Sequence, residues 1–200
     1  SIGAVLMFVG GTGLQWFGLA GGLGVGAIAA AVIALPELVP YATDRLASWR
    51  DPFADPLGEG HQTIQSLYAI ASGGLAGLGL GNSRQKYLYV PEPQNDFIFS
   101  ILCEELGFLG AALAVALFLA LLLRGMSIAI RARDKFGALL AVGFVVQVVL
   151  QAILNIAVVT NTIPNTGISL PFFSSGGTSL LMLLGEMGIV LSVSRQTDAV

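Results

Sequence analysis

The sequence predicts an all-α fold, a polytopic integral membrane helix bundle with a large extracytoplasmic loop. Three observations carry that expectation. Of the 200 residues 55% are apolar and only 10% charged, a balance foreign to soluble domains. Several uncharged runs reach the roughly 20 residues that a helix needs to cross a bilayer. Nine of the 21 charged residues are gathered in one stretch, 41–94. The net charge of -3 and the lack of a basic cluster exclude a nucleic-acid partner. The lone Cys103 cannot form an internal disulfide and reads as a small packing residue.

Residues 1–9 show neither a basic n-region nor a cleavage site, so they read as a helix remnant and the chain as the C-terminal part of something longer. After a Gly-rich turn, the uncharged run at 17–35 predicts a spanning helix over 17–41. Its glycines suit close helix contact in lipid. The outer loop is expected over 42–96. Within it, Ile64, Leu67, Tyr68 and Ala71 have the spacing of a short amphipathic helix over 62–71. The following GGLAGLGLGNS, with Pro91 and Pro93, calls for irregular backbone with several positive φ angles. A second spanning helix follows over 97–123. The connection 124–136 holds Arg124, Arg131, Arg133 and Lys135 against one Asp134, which makes it cytoplasmic by the positive-inside rule. Spanning helices over 137–160 and 178–194 flank an outer connection at 161–177. That connection is rich in Gly and Pro yet carries Ile168, Leu170, Phe172 and Phe173, so it is expected to pack into the protein.

Several side chains have two readings. Asp96 can cap a helix starting near Phe97, or face a cavity where partial desolvation raises its pKa toward that of a general base. Glu104 and Glu105 lie a further 12 to 14 Å or so along the axis, as a structural pair or as cavity walls. Gln147, Gln151 and Asn155 make an i, i+4, i+8 stripe that serves interhelical hydrogen bonding or ligand contact. Glu186 falls mid-span and needs a partner on a neighbouring helix. The small residues at 174–179 can cap the last helix or cradle a phosphate. Arg45, Arg50, Arg84 and Lys86 can hold an anionic head group or solvate the loop. His61 has no Cys or His companions, against a zinc site. A hard divalent cation, Mg or Mn, held by carboxylates and substrate phosphates stays open.

Two long motifs then acquire a meaning together. GLGLGNSRQKYLYVPEPQNDFIFSILCEELGFLG at 77–110 and NTIPNTGISLPFFSSGGTSL at 161–180 closely resemble the SEDS family (FtsW, RodA, SpoVE) of bacterial cell-wall proteins. Arg45, Trp49, Pro52, Gln62, Ser66 and Gly73-Gly74 resemble that family's large outer loop, and the run at 81–86 looks more like its FtsW and SpoVE branch. Ser175 departs from the family's usual Tyr, and Glu186 stands where an apolar or small residue is expected.

The resemblance implies a multi-pass protein of the bacterial cytoplasmic membrane. Its activity would be that of a peptidoglycan glycosyltransferase polymerising lipid II at the outer face, in division or sporulation. The implied partners are a class B penicillin-binding protein and other divisome membrane proteins. It assigns catalysis to Asp96. It implies substrate contacts from Arg45, Gln62, Ser66, Arg84, Lys86, Glu105, Asn155, Pro164, Thr166, Gly167, Ser174, Gly176 and Gly177. This stretch alone is expected to be inactive. A lipid II carrier and a scaffold that only recruits the penicillin-binding protein are the rival readings. Dependence on Asp96 separates a polymerase from both.

Overall fold

The computed structural model describes residues 14–34, 46–54, 56, 60–83 and 96–197. The expected remnant at 1–9, the turn after it, Arg45, Arg84, Lys86, Pro91 and Pro93 lie outside them. Helix α1 is Leu14–Ala34, 21 residues without a charge. A helical stretch at 46–50 and a 3-10 turn at Pro52–Ala54 lead to α2, His61–Gly73, whose Ile64, Ser66, Ala69 and Gly73 are buried. Three long helices follow: α3, Ile98–Ile130; α4, Lys135–Val159; and α5, Gly177–Thr197. All three are long and apolar enough to cross a membrane.

Burial agrees with a lipid solvent. Helix α3 turns Phe108, Leu109, Leu113, Leu117 and Leu123 outward, each more than half exposed, which in water would be an aggregating surface. The chain is a multi-pass membrane helix bundle. Helix α4 sits at its centre, and its Val148 and Ala152 meet Phe97 just before α3, Phe118 of α3, Leu170 of the following loop and Leu183 of α5. A second cluster nearer the other end joins Ile128, Val142, Val145 and Val190. Gly125 admits close contact there, since a Cβ on it would stand 2.4 Å from a Val145 methyl.

Helix α3 differs from its expected form at both its end and its middle. It continues past residue 123 to Ile130, because nothing between Arg124 and Ile130 breaks a helix, and the Arg131 amide closes it onto Ser127 and Ala129. The connection therefore shrinks to 131–134. Asp134 starts α4 as its N-cap, accepting from the Gly137 amide at 2.8 Å.

The second difference is a break. Gly107 has φ 67° and ψ -165° inside α3, a left-handed conformation for which glycine is suited. The interruption strands carbonyls above it and amides below it, and the glycine-rich segment after α2 meets both. Leu78 and Gly79 donate their amides to the Glu104 and Glu105 carbonyls at 2.9 and 3.0 Å. Phe108 and Leu109 donate theirs to the Gly74 and Leu75 carbonyls at 2.9 and 3.2 Å. Gly74, Gly77, Gly79 and Gly81 all take positive φ, as the composition of the segment required. The two backbones touch so closely that a Cβ on Gly77 would stand 2.1 Å from the Glu105 carbonyl oxygen. A Cβ on Gly107 would stand 2.4 Å from the Gly77 nitrogen.

Gly77→Ala and Gly107→Ala each combine overlap with a left-handed backbone and are expected to cost about 3 kcal/mol or more. The measurement is thermal unfolding of the purified protein in detergent, with a lowered midpoint or lost monodisperse protein as the expected result.

Candidate active site

The connection from α4 to α5 does not stay at the membrane surface. After Asn161, whose φ of 56° reverses the chain, it turns back along α4. Asn155 donates to the Ile168 carbonyl at 2.6 Å, and Gln151, one turn deeper, donates to the Ser169 carbonyl at 3.0 Å. Leu170 and Pro171 are buried. At 1.5 Å per residue these contacts lie roughly 6 and 12 Å below the end of α4. Irregular backbone at such depth survives only where the protein satisfies it, and the amides of the α4 stripe do so. The third member, Gln147, donates to the Glu186 carboxylate at 3.3 Å, which supplies the partner that Glu186 lacked in the sequence.

The C-terminal end of α4 is also clamped by the segments around α2. Trp49 donates its indole N–H to the Asn161 carbonyl at 3.1 Å, and Asn161 returns its amide to the Trp49 carbonyl at 3.3 Å. Ser66, fully buried on α2, donates to the Val159 carbonyl at 2.9 Å. The Asn165 amide points at the Gln62 side-chain oxygen at 3.5 Å.

Asp96 lies between these parts. It does not cap α3: the N-cap is Phe97, without a side-chain cap bond, and the Phe97 carbonyl takes both the amide and the hydroxyl of Ser100. The Asp96 carbonyl instead accepts from Asn155 at 2.7 Å, so the residue stands just outside the helix and half-buried. Its Oδ2 lies 3.6 Å from where a Cβ on Gly167 would be. Gly167 has φ 66°, and its amide is held by the Asn165 side chain at 3.1 Å. A carboxylate free of capping thus faces the exposed turn formed by Thr166 and Gly167.

The expected site residues divide accordingly. Asp96, Thr166 and Gly167 lie together, with Pro164 on the same connection and Gln62 of α2 reaching it through Asn165. Ser66 and Asn155 are fully buried and act as framework. Glu104 is buried with the Ser83 hydroxyl hydrogen bonded to its carboxylate, while Glu105 has a buried Oε1 without a partner. Both lie beside the α3 break. The phosphate cradle expected at 174–179 is partly spoken for: Gly176 donates its amide to the Ser174 carbonyl at 2.9 Å, and the Ser174 hydroxyl accepts from Leu170 at 2.8 Å. Gly177 is exposed at the start of α5. Sequence reasoning passed over Asn165, whose position two residues before a glycine in Asn-Thr-Gly is the signature of a side chain closing its own turn. It read Phe172 only as an apolar residue of the connection and missed its positive φ of 66°. Phe172 and Phe173 line an apolar cavity of about 270 Å³ with Leu117, Phe118 and Leu121.

These features define a class: a multi-pass membrane helix bundle with a broken helix, at whose start one half-buried carboxylate faces a re-entrant loop. The chain belongs to the FtsW, RodA and SpoVE family, described as "Cell cycle protein", which matches residues 1–199. It is 49% identical over 191 residues to stage V sporulation protein E of Bacillus subtilis (strain 168), covering 96% of this chain and 51% of that protein. It is 41% identical over 202 residues to a probable peptidoglycan glycosyltransferase FtsW of Geobacter sp. (strain M18), covering 98% and 52%. A solved structure described as "Structural coordination of polymerization and crosslinking by a peptidoglycan synthase complex" matches with a TM-score of 0.70 at 34% identity, covering 98% of this chain and 53% of that one. The chain spans about half the length of these relatives.

Ser66→Ala should cost about 1 to 2 kcal/mol by leaving the Val159 carbonyl unpaired. That corresponds to a drop of a few degrees in the thermal unfolding midpoint.

Proposed function

We propose that this chain is the part of a peptidoglycan glycosyltransferase that carries the catalytic base, polymerising lipid II at the outer face of the bacterial cytoplasmic membrane. The observation that carries the reading is the Asp96 carboxylate, released from capping and held half-buried beside Gly167. The kinship with proteins named peptidoglycan glycosyltransferase supports the reaction class. The short connection at 131–134, with Arg131 and Arg133, sits on the cytoplasmic side by the positive-inside rule, which puts Asp96 outside.

In this reaction Asp96 takes the proton from the 4-hydroxyl of the acceptor sugar. The oxygen forms a bond to the anomeric carbon of the lipid-linked donor. The bond from that carbon to the phosphate oxygen breaks, and undecaprenyl diphosphate leaves with the electron pair. Charge developing on the diphosphate requires cations or amide donors nearby. Arg45, Arg84 and Lys86 are assigned that work by sequence, together with the exposed Gly177 at the start of α5. Among the described residues no three acidic, His or Cys side chains converge. A divalent cation would therefore draw on the substrate diphosphate for its ligands, and no step here is routed through one. The partner we propose is a class B penicillin-binding protein, in keeping with the kinship to a peptidoglycan synthase complex.

The carrier reading loses support from the stripe on α4. A lipid path wants free polar groups along its wall, whereas Gln147, Gln151 and Asn155 donate to Glu186, Ser169, Ile168 and Asp96.

A positioned general base contributes about 10²- to 10⁴-fold. Asp96→Asn in the full-length protein, co-purified with its penicillin-binding partner, should lower glycan synthesis from lipid II by at least about 10²-fold. Unchanged lipid II binding and partner recovery are expected alongside. Polymerisation near the unsubstituted rate would remove Asp96 as the base.

A further inference from the structure

Asn155 is fully buried in α4, so substrate does not reach it, and yet it bonds to both halves of the outer mouth. Its Nδ2 donates at 2.7 Å to the carbonyl of Asp96 and at 2.6 Å to the carbonyl of Ile168, the neighbour of Gly167. One nitrogen thus holds the residue that bears the carboxylate and the turn that the carboxylate faces. The orientation of the amide is fixed by chemistry. Only an N–H pair can lie so close to two carbonyl oxygens, and the flipped amide would set three acceptors together.

The amide's other polar atom, Oδ1, is buried without a partner. An orphaned buried acceptor costs about 1 to 3 kcal/mol, so this amide is not the arrangement that stability alone would select. Gln151 provides the internal comparison. It makes the same kind of bond, to the Ser169 carbonyl, one turn deeper and without touching Asp96. If the stripe served only to hold the loop, the two residues would be equivalent.

We propose that Asn155 is a positioning residue for Asp96: its amide sets the placement of the carboxylate against the Gly167 turn, and so governs turnover without contacting substrate. The inference rests on the reading of Asp96 as the base. A displacement of about 1 Å at a reacting group can cost on the order of 10²-fold in rate, so losing either carbonyl contact acts on kcat and leaves donor binding intact.

The test uses the full-length protein co-purified with its penicillin-binding partner and lipid II as substrate. Asn155→Ala, Asn155→Asp and Gln151→Ala are compared with Asp96→Asn. Asn155→Asp keeps the shape and puts a carboxylate oxygen against two carbonyls. Expected are a fall in kcat of about 30-fold or more for both Asn155 variants with KM within about twofold, and a fall of less than about threefold for Gln151→Ala, in line with misplacement of a reacting group. Equal losses for Asn155→Ala and Gln151→Ala, or losses carried by KM, would overturn the proposal. Failure of both Asn155 variants to give folded complex overturns it too, by assigning the residue to stability. An inactive Asp96→Asn beside fully active Asn155 variants refutes this inference alone, whereas an active Asp96→Asn refutes the base assignment and the inference with it.

Discussion

Where α3 stops being helical at Gly107, carbonyls on one side and amides on the other would face hydrocarbon unless another backbone reached them. Each such orphan costs several kcal/mol in lipid, more than a marginally stable fold can carry more than once. The segment at 74–79 enters the gap and bonds Glu104, Glu105, Phe108 and Leu109 through their main chains. The glycines follow from this contact. Two backbones at that separation leave no room for Cβ atoms at Gly73, Gly77 or Gly107, where the nearest main-chain atoms would be 1.9, 2.1 and 2.4 Å away. The break and the segment are therefore one structure, and neither is stable in lipid without the other.

The same constraint is answered differently between α4 and α5. The α4–α5 connection also carries irregular backbone inward, but there the partners are side chains, Asn155 and Gln151 reaching consecutive carbonyls. Apolar residues of the connection, Leu170 above all, fill the space among α3, α4 and α5, and Phe173 approaches Phe118 with ring centroids 6.3 Å apart. Asp96 lies at the start of the broken helix and against the re-entrant turn. Its carboxylate is left free of capping because α3 begins one residue later and spends the Phe97 carbonyl, not the aspartate, on its first turn.

What the sequence made legible was the chemistry of each stretch more than its partner. Composition gave the membrane bundle, and i, i+4 spacing gave the polar stripe with its inward face. The irregular run after α2 was plain from its glycines. Its destination was not, because Gly107 reads locally as one more glycine in an apolar helix and the bonds that make it a break come from thirty residues upstream or so. The end of α3 was missed for a simpler reason: arginine marks a membrane boundary but is a good helix former, so the charge at Arg124 did not end the helix. Ser66 and Asn155 carried a polar signal that the family resemblance assigned to substrate, whereas both bond to backbone in the protein interior. Polarity in an apolar helix announces a hydrogen bond without saying to what.

Helix α4 turns these local bonds into a geometry. Its stripe meets three different elements: Gln147 reaches Glu186 of α5, Gln151 reaches the re-entrant loop, and Asn155 reaches both that loop and Asp96. Successive members are four residues apart, about 6 Å of rise, so an unbroken helix acts as a ruler against which loop, last helix and carboxylate are set. Glu186 then has a reason to be tolerated mid-span, since the amide at the deep end of the ruler would otherwise face hydrocarbon. The depth at which the loop re-enters and the place of Asp96 at the mouth are consequently settled by one rigid element. That is the property the proposed site needs, since its carboxylate sits outside regular structure.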